Sequence, residues 1–239
     1  MEFSKLTVIL PVYNEFDYII TTLDKIKNNK LKFNLEIEII VINDFSNDGT
    51  EEQLKIFKEK NRTFNMQYFN HKRNLGKGAA IRTGLKHATG EIILIQDADL
   101  EYDPVEYNKL LNPIITGVAD VVYGSRFKGS GPQRALFFWH YLGNKVLTLL
   151  SNIFSNLNLT DMETCYKVFK NDIIKSLDLR ENRFGFEPEV TAKISKIEKI
   201  RIYEVGIAYY GRDYSDGKKI NWKDGISAIW CIFRYNLFD

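Results

Sequence analysis

Two carboxylates spaced by one residue, Asp97-Ala98-Asp99, follow the apolar run Ile92-Ile93-Leu94-Ile95. In extended chain, residues i and i+2 face the same side, so Asp97 and Asp99 can converge on one point. Such a pair at a strand end suits a hard divalent cation, since Mg²⁺ takes one or two protein carboxylates and completes its shell with phosphate oxygens and water. The tripeptide is common in solvated loops. Its place after four apolar residues and before an Asp103-Pro104 helix start favours the ligand reading. An acidic pair left unneutralised carries a repulsion that a cation relieves.

A second polar cluster, Asn43-Asp44-Phe45-Ser46-Asn47-Asp48-Gly49-Thr50, also follows an apolar run. Asp44 is placed to accept hydrogen bonds from a base or ribose, as acidic residues do at strand ends in dinucleotide folds. Asp48, Gly49 and Thr50 read as turn chemistry. In Asn74-Leu75-Gly76-Lys77-Gly78-Ala79-Ala80 two glycines and a lysine precede a helical pattern, a place where phosphate can bind. The segment is neither a Walker A loop nor a Rossmann fingerprint, because Ala79 and Ile81 occupy positions those motifs reserve for Ser/Thr and Gly. Taken alone it reads as a tight turn. Arg126, Lys128 and Arg134 bracket a Gly-rich loop, and guanidinium groups bind phosphate bidentately. Residues 209–220 mix aromatics, glycines and cations, a composition suited to closing over a nucleotide or lying on an anionic lipid surface.

The elements that must position these residues alternate. Short apolar runs at 6–11, 37–42, 66–69 and 91–95 predict strands, and periodic segments at 15–28, from Thr50 and at 78–87 predict helices. Thr50 with Gln53 reads as a capping box, and Asp103 with Pro104 and Glu106 as a further helix start. Alternation of this kind predicts an α/β fold with a mostly parallel sheet flanked by helices, and ligands in such sheets bind at the carboxyl ends of the strands. After Gly117 the pattern adds strands at 119–123 and 201–210, helices from Asn171, Glu187 and Trp222, and a long aromatic-rich segment at 135–159. That segment has helical spacing and fits either core burial or a membrane interface. One compact domain is expected, with residues 1–100 as its nucleotide half and 101–239 as its acceptor half.

Composition excludes several classes. The 239 residues are 44% hydrophobic and 27% charged, which argues against disorder, and a net charge of +2 advertises no nucleic-acid partner. Two cysteines and three histidines are too few for a disulfide framework or a His/Cys zinc site. No signal peptide or uninterrupted apolar span is evident, so a cytoplasmic setting is expected, peripheral at the cytoplasmic face of a membrane.

The ordered set Pro11-Val12-Tyr13-Asn14-Glu15, 43–50, 74–78 and Asp97-Ala98-Asp99 resembles family-2 glycosyltransferases of the GT-A, Rossmann-like fold. Gly124-Ser125-Arg126, residues 161–167 and residues 217–225 are similar to the branch containing dolichol-phosphate mannose synthase and bacterial polyprenyl-phosphate sugar transferases. The resemblance implies an inverting transfer from a UDP- or GDP-linked sugar, with Mg²⁺ or Mn²⁺, to an undecaprenyl or dolichyl monophosphate. It places Pro11, Tyr13, Asn14, Glu15 and Asp44 around the nucleoside, with Lys77, Asp97 and Ala98 also in the donor site. It further implies Asp97, Asp99 and Glu101 as metal ligands, and Asp99, Arg126, Arg134 and Asp161 as the reacting centre, with Arg126 and Arg134 facing the donor diphosphate and the acceptor phosphate. In this chain Asn43 and Phe45 replace the Asp and Gly of the family's usual Asp-Asp-Gly-Ser. Two rival expectations remain: transfer to a glycan hydroxyl, with Asp161 or Glu163 as base, and a non-catalytic nucleotide-sugar-binding protein.

Overall fold

A computed structural model of the protein describes residues 3–129, 134–135, 138–212 and 222–239. Seven strands form one sheet: β1 (Lys5–Val12), β2 (Glu36–Asn43), β3 (Met66–Asn70), β4 (Ile92–Ile95), β5 (Val121–Ser125), β6 (Lys167–Lys170) and β7 (Ile202–Gly206). The crossovers carry α1 (Ile19–Lys27), α2 (Thr50–Lys60) and α3 (Lys77–His87). They are followed by α4 (Tyr107–Ile115), α5 (Phe138–Ser155), α6 (Asn171–Ser176), α7 (Phe186–Ser195) and α8 (Trp222–Leu237). The sheet order is β3-β2-β1-β4-β6-β5-β7.

Every strand pair is parallel except β4–β6 and β5–β6, so β6 alone runs against the rest. This reversal matters for the site. It brings the residues that precede β6 to the same sheet edge as those that follow β1, β2, β4 and β5. The sheet continues through residue 100, because β4 pairs with β6. Leu6, Ile9, Ile40, Val41, Ile93 and Leu94 are fully buried, as expected of central strands covered by helices on both faces.

Local capping departs from expectation at two places. The first helix begins at Ile19 instead of Glu15, whose carbonyl accepts from the amides of Tyr18 and Ile19 in a tight turn. The capping box at Thr50 does not form. Gly49, at φ 95°, takes the N-cap position, and the buried Thr50 hydroxyl accepts from the Glu15 amide at 3.0 Å. Asp48 meanwhile receives the amides of Phe16 and Thr50 at 3.1 and 3.0 Å. The turn residues thus join the β1 and β2 loops to each other, a tertiary use that local propensity does not encode. Asp103 caps as expected, accepting from the Val105 amide at 3.0 Å, ahead of a 3₁₀ turn at Pro104–Glu106.

In α5 Leu147, Leu150 and Phe154 pack against the core, yet the most deeply buried side chains are polar. Its buried residues are Thr148 and Ser151, while Phe138, Trp139, Leu142, Val146, Leu149 and Ile153 are exposed. Its polar side holds the chain ahead of β6: Thr148 Oγ1 accepts from the Met162 amide at 3.1 Å, and Asn152 bonds both the amide and carbonyl of Leu159. Helix α8 packs beside α5 through Phe154 and Phe233, with ring centroids 4.9 Å apart, and leaves Ile226 and Trp230 exposed. Among the described residues no helix is long and apolar enough to cross a membrane.

Candidate active site

The strand ends gather acids and cations in alternation. Lys77, first residue of α3, places Nζ 3.0 Å from Asp97 Oδ1 and 3.2 Å from Glu187 Oε1. Burial opposes its charge, but Asp97 and Glu187 outweigh that cost and hold Lys77 well above its ordinary value. Arg212 lies 3.1 Å from Asp99 Oδ2 and 3.3 Å from Glu15 Oε2, with its guanidinium 4.9 Å from the Tyr18 ring centroid. Asp99 nevertheless remains short of positive charge. Burial, then the neighbouring Asp97 and Glu101, push its carboxyl up to about 7 against the pull of Arg212.

Glu101, which the resemblance implies as a third metal ligand, lies past a break in the chain's direction. Leu100 takes a left-handed φ of 62°, which breaks the extended alternation after Asp99. The Glu101 carboxylate accepts from the Tyr209 hydroxyl at 2.8 Å and the Arg212 amide at 2.6 Å. Among the described residues no three His, Cys, Asp or Glu side chains converge as a metal cluster. Glu101 therefore fastens the 209–212 segment that delivers Arg212, and Arg134 fastens it again through the Gly211 carbonyl at 2.7 Å. Residues 130–133 and 213–221, with most of the Gly-rich loop and the 217–221 part of the late motif, lie outside the described residues.

Asp44 is buried, and its carboxylate is occupied by protein donors: the amides of Leu75 and Gly76 at 2.9 and 2.7 Å, and His71 Nδ1 at 2.6 Å. It fixes the turn before α3 and keeps acceptor capacity on Oδ2, which takes only the Gly76 amide. Gly76, at φ 97°, serves close packing. A Cβ there would sit 2.4 Å from the Asn182 carbonyl oxygen, which also accepts from the Ala79 amide. The tight-turn reading of this segment is the one the geometry bears out.

Pro11 lies within β1 opposite Ile42. Tyr13 is about one-third exposed just beyond that strand, and Asn14 links the neighbouring loop by accepting from the Asn47 amide at 2.9 Å. Ala98 is buried, and its carbonyl accepts from the Thr22 hydroxyl at 2.9 Å, which sets the backbone between the two aspartates.

On the β5–β6 side, Asp161 is fully buried and clasped by Arg126: Nε to Oδ2 and Nη2 to Oδ1, both at 2.7 Å, with the Arg126 amide at 3.0 Å. Asp161, which the resemblance implies at the reacting centre, is thus committed to holding Arg126 in place. Arg126 also lies over the Tyr209 ring, 5.3 Å from its centroid. Three further ionisable groups lie near this pair: Glu187, which no motif singled out, Glu163, the alternative base, and Lys167, within the 161–167 stretch that carries part of the resemblance. Glu187 and Glu163 each carry a shielded oxygen with no hydrogen-bond partner among the described residues, and burial together with Glu187 pushes Glu163 up to about 8. Lys167 is fully buried, its ammonium bonded to the Thr164 carbonyl, and burial lowers it from its ordinary value. Arg212 carried a weak signal, as one cation in an aromatic- and glycine-rich stretch, and Glu187 carried none.

Parallel strands whose carboxyl ends carry alternating acids and cations form a nucleotide-binding α/β architecture. Residues 7–178 match the profile of glycosyl transferase family 2, and the chain belongs to that family. It is a glycosyltransferase. It is 26% identical over 225 residues to an undecaprenyl-phosphate mannosyltransferase of Micrococcus luteus, covering 90% of this chain and 87% of that protein. It is 27% identical over 222 residues to a dolichol-phosphate mannosyltransferase of Pyrococcus furiosus, covering 90% of this chain but 60% of the longer relative. Among solved structures, glucosyl-3-phosphoglycerate synthase of Mycobacterium tuberculosis, in complex with Mn²⁺, UDP and phosphoglyceric acid, superposes with a TM-score of 0.75 at 17% identity. That match covers 99% of this chain and 80% of the other, and confirms the GT-A type of fold.

Proposed function

We propose that this protein transfers a hexose from a UDP- or GDP-linked donor to a polyprenyl monophosphate at a membrane surface. The observation that carries the reading is the double role of α5, which holds the Asp161 segment with its polar side and turns an aromatic, apolar side outward. A lipid-borne phosphate would reach the Arg126 side of the site from a surface on which that face could rest. The curated relatives support the acceptor class, since both are named for polyprenyl-phosphate mannosyl transfer.

The donor set at Asp97 and Asp99 is all hard oxygen, and burial, then the neighbouring Asp97 and Glu101, raise the Asp99 carboxyl in spite of Arg212. Both facts fit Mg²⁺ or Mn²⁺, which Asp97 and Asp99 would hold with phosphate oxygens completing the shell. When bound, such an ion neutralises charge on the leaving diphosphate. The chain's own residues do the rest. Lys77, half-buried between Asp97 and Glu187, is a fixed positive charge beside the donor site. Arg212 bridges Glu15 and Asp99 and is placed to meet the diphosphate. Arg126 and Arg134 serve the acceptor phosphate, with Asp161 orienting Arg126. An acceptor phosphate is anionic at neutral pH and needs positioning more than deprotonation. Asp161, clasped and buried, suits that task.

The rival acceptor, a glycan hydroxyl, needs a base. Glu163, with its unpartnered oxygen, is the group that favours it. Incubation with UDP- and GDP-hexoses, Mn²⁺ and undecaprenyl or dolichyl phosphate separates the two. Lipid-linked sugar, lost in Asp99→Ala, is expected. Transfer only to a water-soluble glycan, abolished in Glu163→Gln, would replace the lipid acceptor.

A further inference from the structure

Lys77 opens α3 between two glycines, and both press against one distant stretch of backbone. A Cβ at Gly76 would lie 2.4 Å from the Asn182 carbonyl oxygen, and one at Gly78 would lie 2.4 Å from the Glu181 carbonyl oxygen. Backbone brought this close to a helix must find hydrogen-bond donors there. The Ala79 amide supplies one, to the Asn182 carbonyl at 3.0 Å. Arg82, one turn beyond Gly78, supplies the others. Its half-buried guanidinium donates to the Glu181 carbonyl and, at 2.5 Å, to Asn182 Oδ1. Among the described residues no carboxylate pairs with Arg82, so the partners of this cation are the 181–182 turn. Charge-assisted bonds from a planar fork fix geometry as well as adding energy.

The turn that Arg82 holds is secured on its other side. Glu189 accepts from the amides of Arg180 and Glu181 at 2.7 and 2.8 Å, and the Tyr235 hydroxyl donates to Glu181 Oε1 at 2.7 Å. From that turn the chain runs directly into α7, whose second residue, Glu187, places Oε1 3.2 Å from Lys77 Nζ. Asp97 takes the same ammonium from the sheet at 3.0 Å. The position of Lys77 Nζ is therefore set by two segments that come from distant parts of the chain. A lysine stem is flexible, so its ammonium stays put only while α3 and the 181–187 segment keep their register. Arg82 spans that seam.

We propose that Arg82 is a positioning residue for the donor site: by tying Glu181 and Asn182 to α3 it keeps Lys77 and Glu187 in register, and so holds the Lys77 ammonium beside Asp97 and toward the donor diphosphate. This inference rests on the nucleotide-sugar donor proposed above. Arg82 acts through Lys77, and a small displacement of a charge that orients the donor is costly.

The test measures UDP and GDP binding by calorimetry with Mn²⁺ present, well below each melting transition. The proteins compared are the native chain, Arg82→Ala, Glu187→Met and the double variant. Arg82→Ala is expected to bind about fivefold more weakly whichever nucleotide the native chain takes. In the Glu187→Met background the same change should add less than about twofold, because residues acting through one ammonium are not additive. Arg82→Lys, which keeps the charge without the fork, should bind between native and Arg82→Ala. It is read in the same cycle if Arg82→Ala does not fold. A role confined to stability would lower the melting temperature and leave binding by the folded protein unchanged. Native-like binding by Arg82→Ala therefore overturns the proposal alone, as does an equal loss in both backgrounds. A native chain that binds neither nucleotide overturns the donor reading and this inference with it.

Discussion

The two sides of the site are built differently. At the ends of β1, β2 and β4 the chain arrives as short loops from neighbouring parallel strands, and Asp97 and Asp99 are two residues apart. On the β5–β6 side Arg126 meets Asp161, 35 residues on, and long-range partners also reach the strand ends, where Lys77 meets Glu187 and Asp99 meets Arg212. The first side assembles wherever the parallel sheet forms. The second depends on β6 running backwards and on α5 holding residues 159–162 in place. On the proposed function, the aspartates that would hold the metal sit on the side built from short loops, and acceptor positioning on the side that long-range packing must maintain.

The contrast predicts that a single change at the strand ends costs turnover without costing the fold. Asp99→Ala should lower turnover by about 10²-fold or more, the scale for removing a group that stabilises transition-state charge. Removing a buried, like-charge-crowded carboxyl should leave the melting temperature at or above native. A variant that melts markedly lower would erase the distinction. Across the sheet the opposite holds. Asp161→Ala leaves the buried Arg126 guanidinium without its partner and should cost about 3–5 kcal/mol in chemical denaturation. Replacing both members with apolar residues should recover most of that stability but not activity.

The acid–cation alternation also carries a pH signature. Binding a dication to Asp99 requires its proton to leave, and burial with Asp97 and Glu101 holds that carboxyl up to about 7. Mn²⁺ affinity, measured by titration, should therefore strengthen as pH rises through about 7 and level off above it. Affinity that stays flat across this range would mean that the proton is not linked to metal binding. The smallest effect is expected on the outer face of α5. Trp139→Ser should leave melting unchanged, because the side chain is 76% exposed, but weaken sedimentation with anionic vesicles by a few-fold. Unaltered vesicle binding would turn attention from membrane to protein partners for this face.

Much of the first side was legible because its signals are local. Apolar runs mark buried strands, and a polar cluster directly after such a run must lie at a strand's carboxyl end. The pairing of Asp97 with a cation was not legible, since Lys77 reads as part of a glycine turn until the sheet places it 3.0 Å away. Glu101 entered only through the resemblance, and its bonds to the Tyr209 hydroxyl and the Arg212 amide, past the left-handed Leu100, had no local signal. Thr50 misled because a capping hydroxyl can serve a neighbouring loop when it is buried.

Periodicity and strand-end placement, properties of neighbours in the chain, determined the α/β class, the order of the early elements and the position of the Asp97/Asp99 pair. The partners of those acids, the burial of Asp161, the unpartnered oxygens of Glu163 and Glu187 and the outward apolar face of α5 were decided by tertiary structure. Each depends on a contact between distant segments, and the free energy of such a contact depends on how the sheet packs. In α5 the apolar spacing was plain in the sequence, but which way it faced was set by where Thr148 and Asn152 found the 159–162 segment to bind.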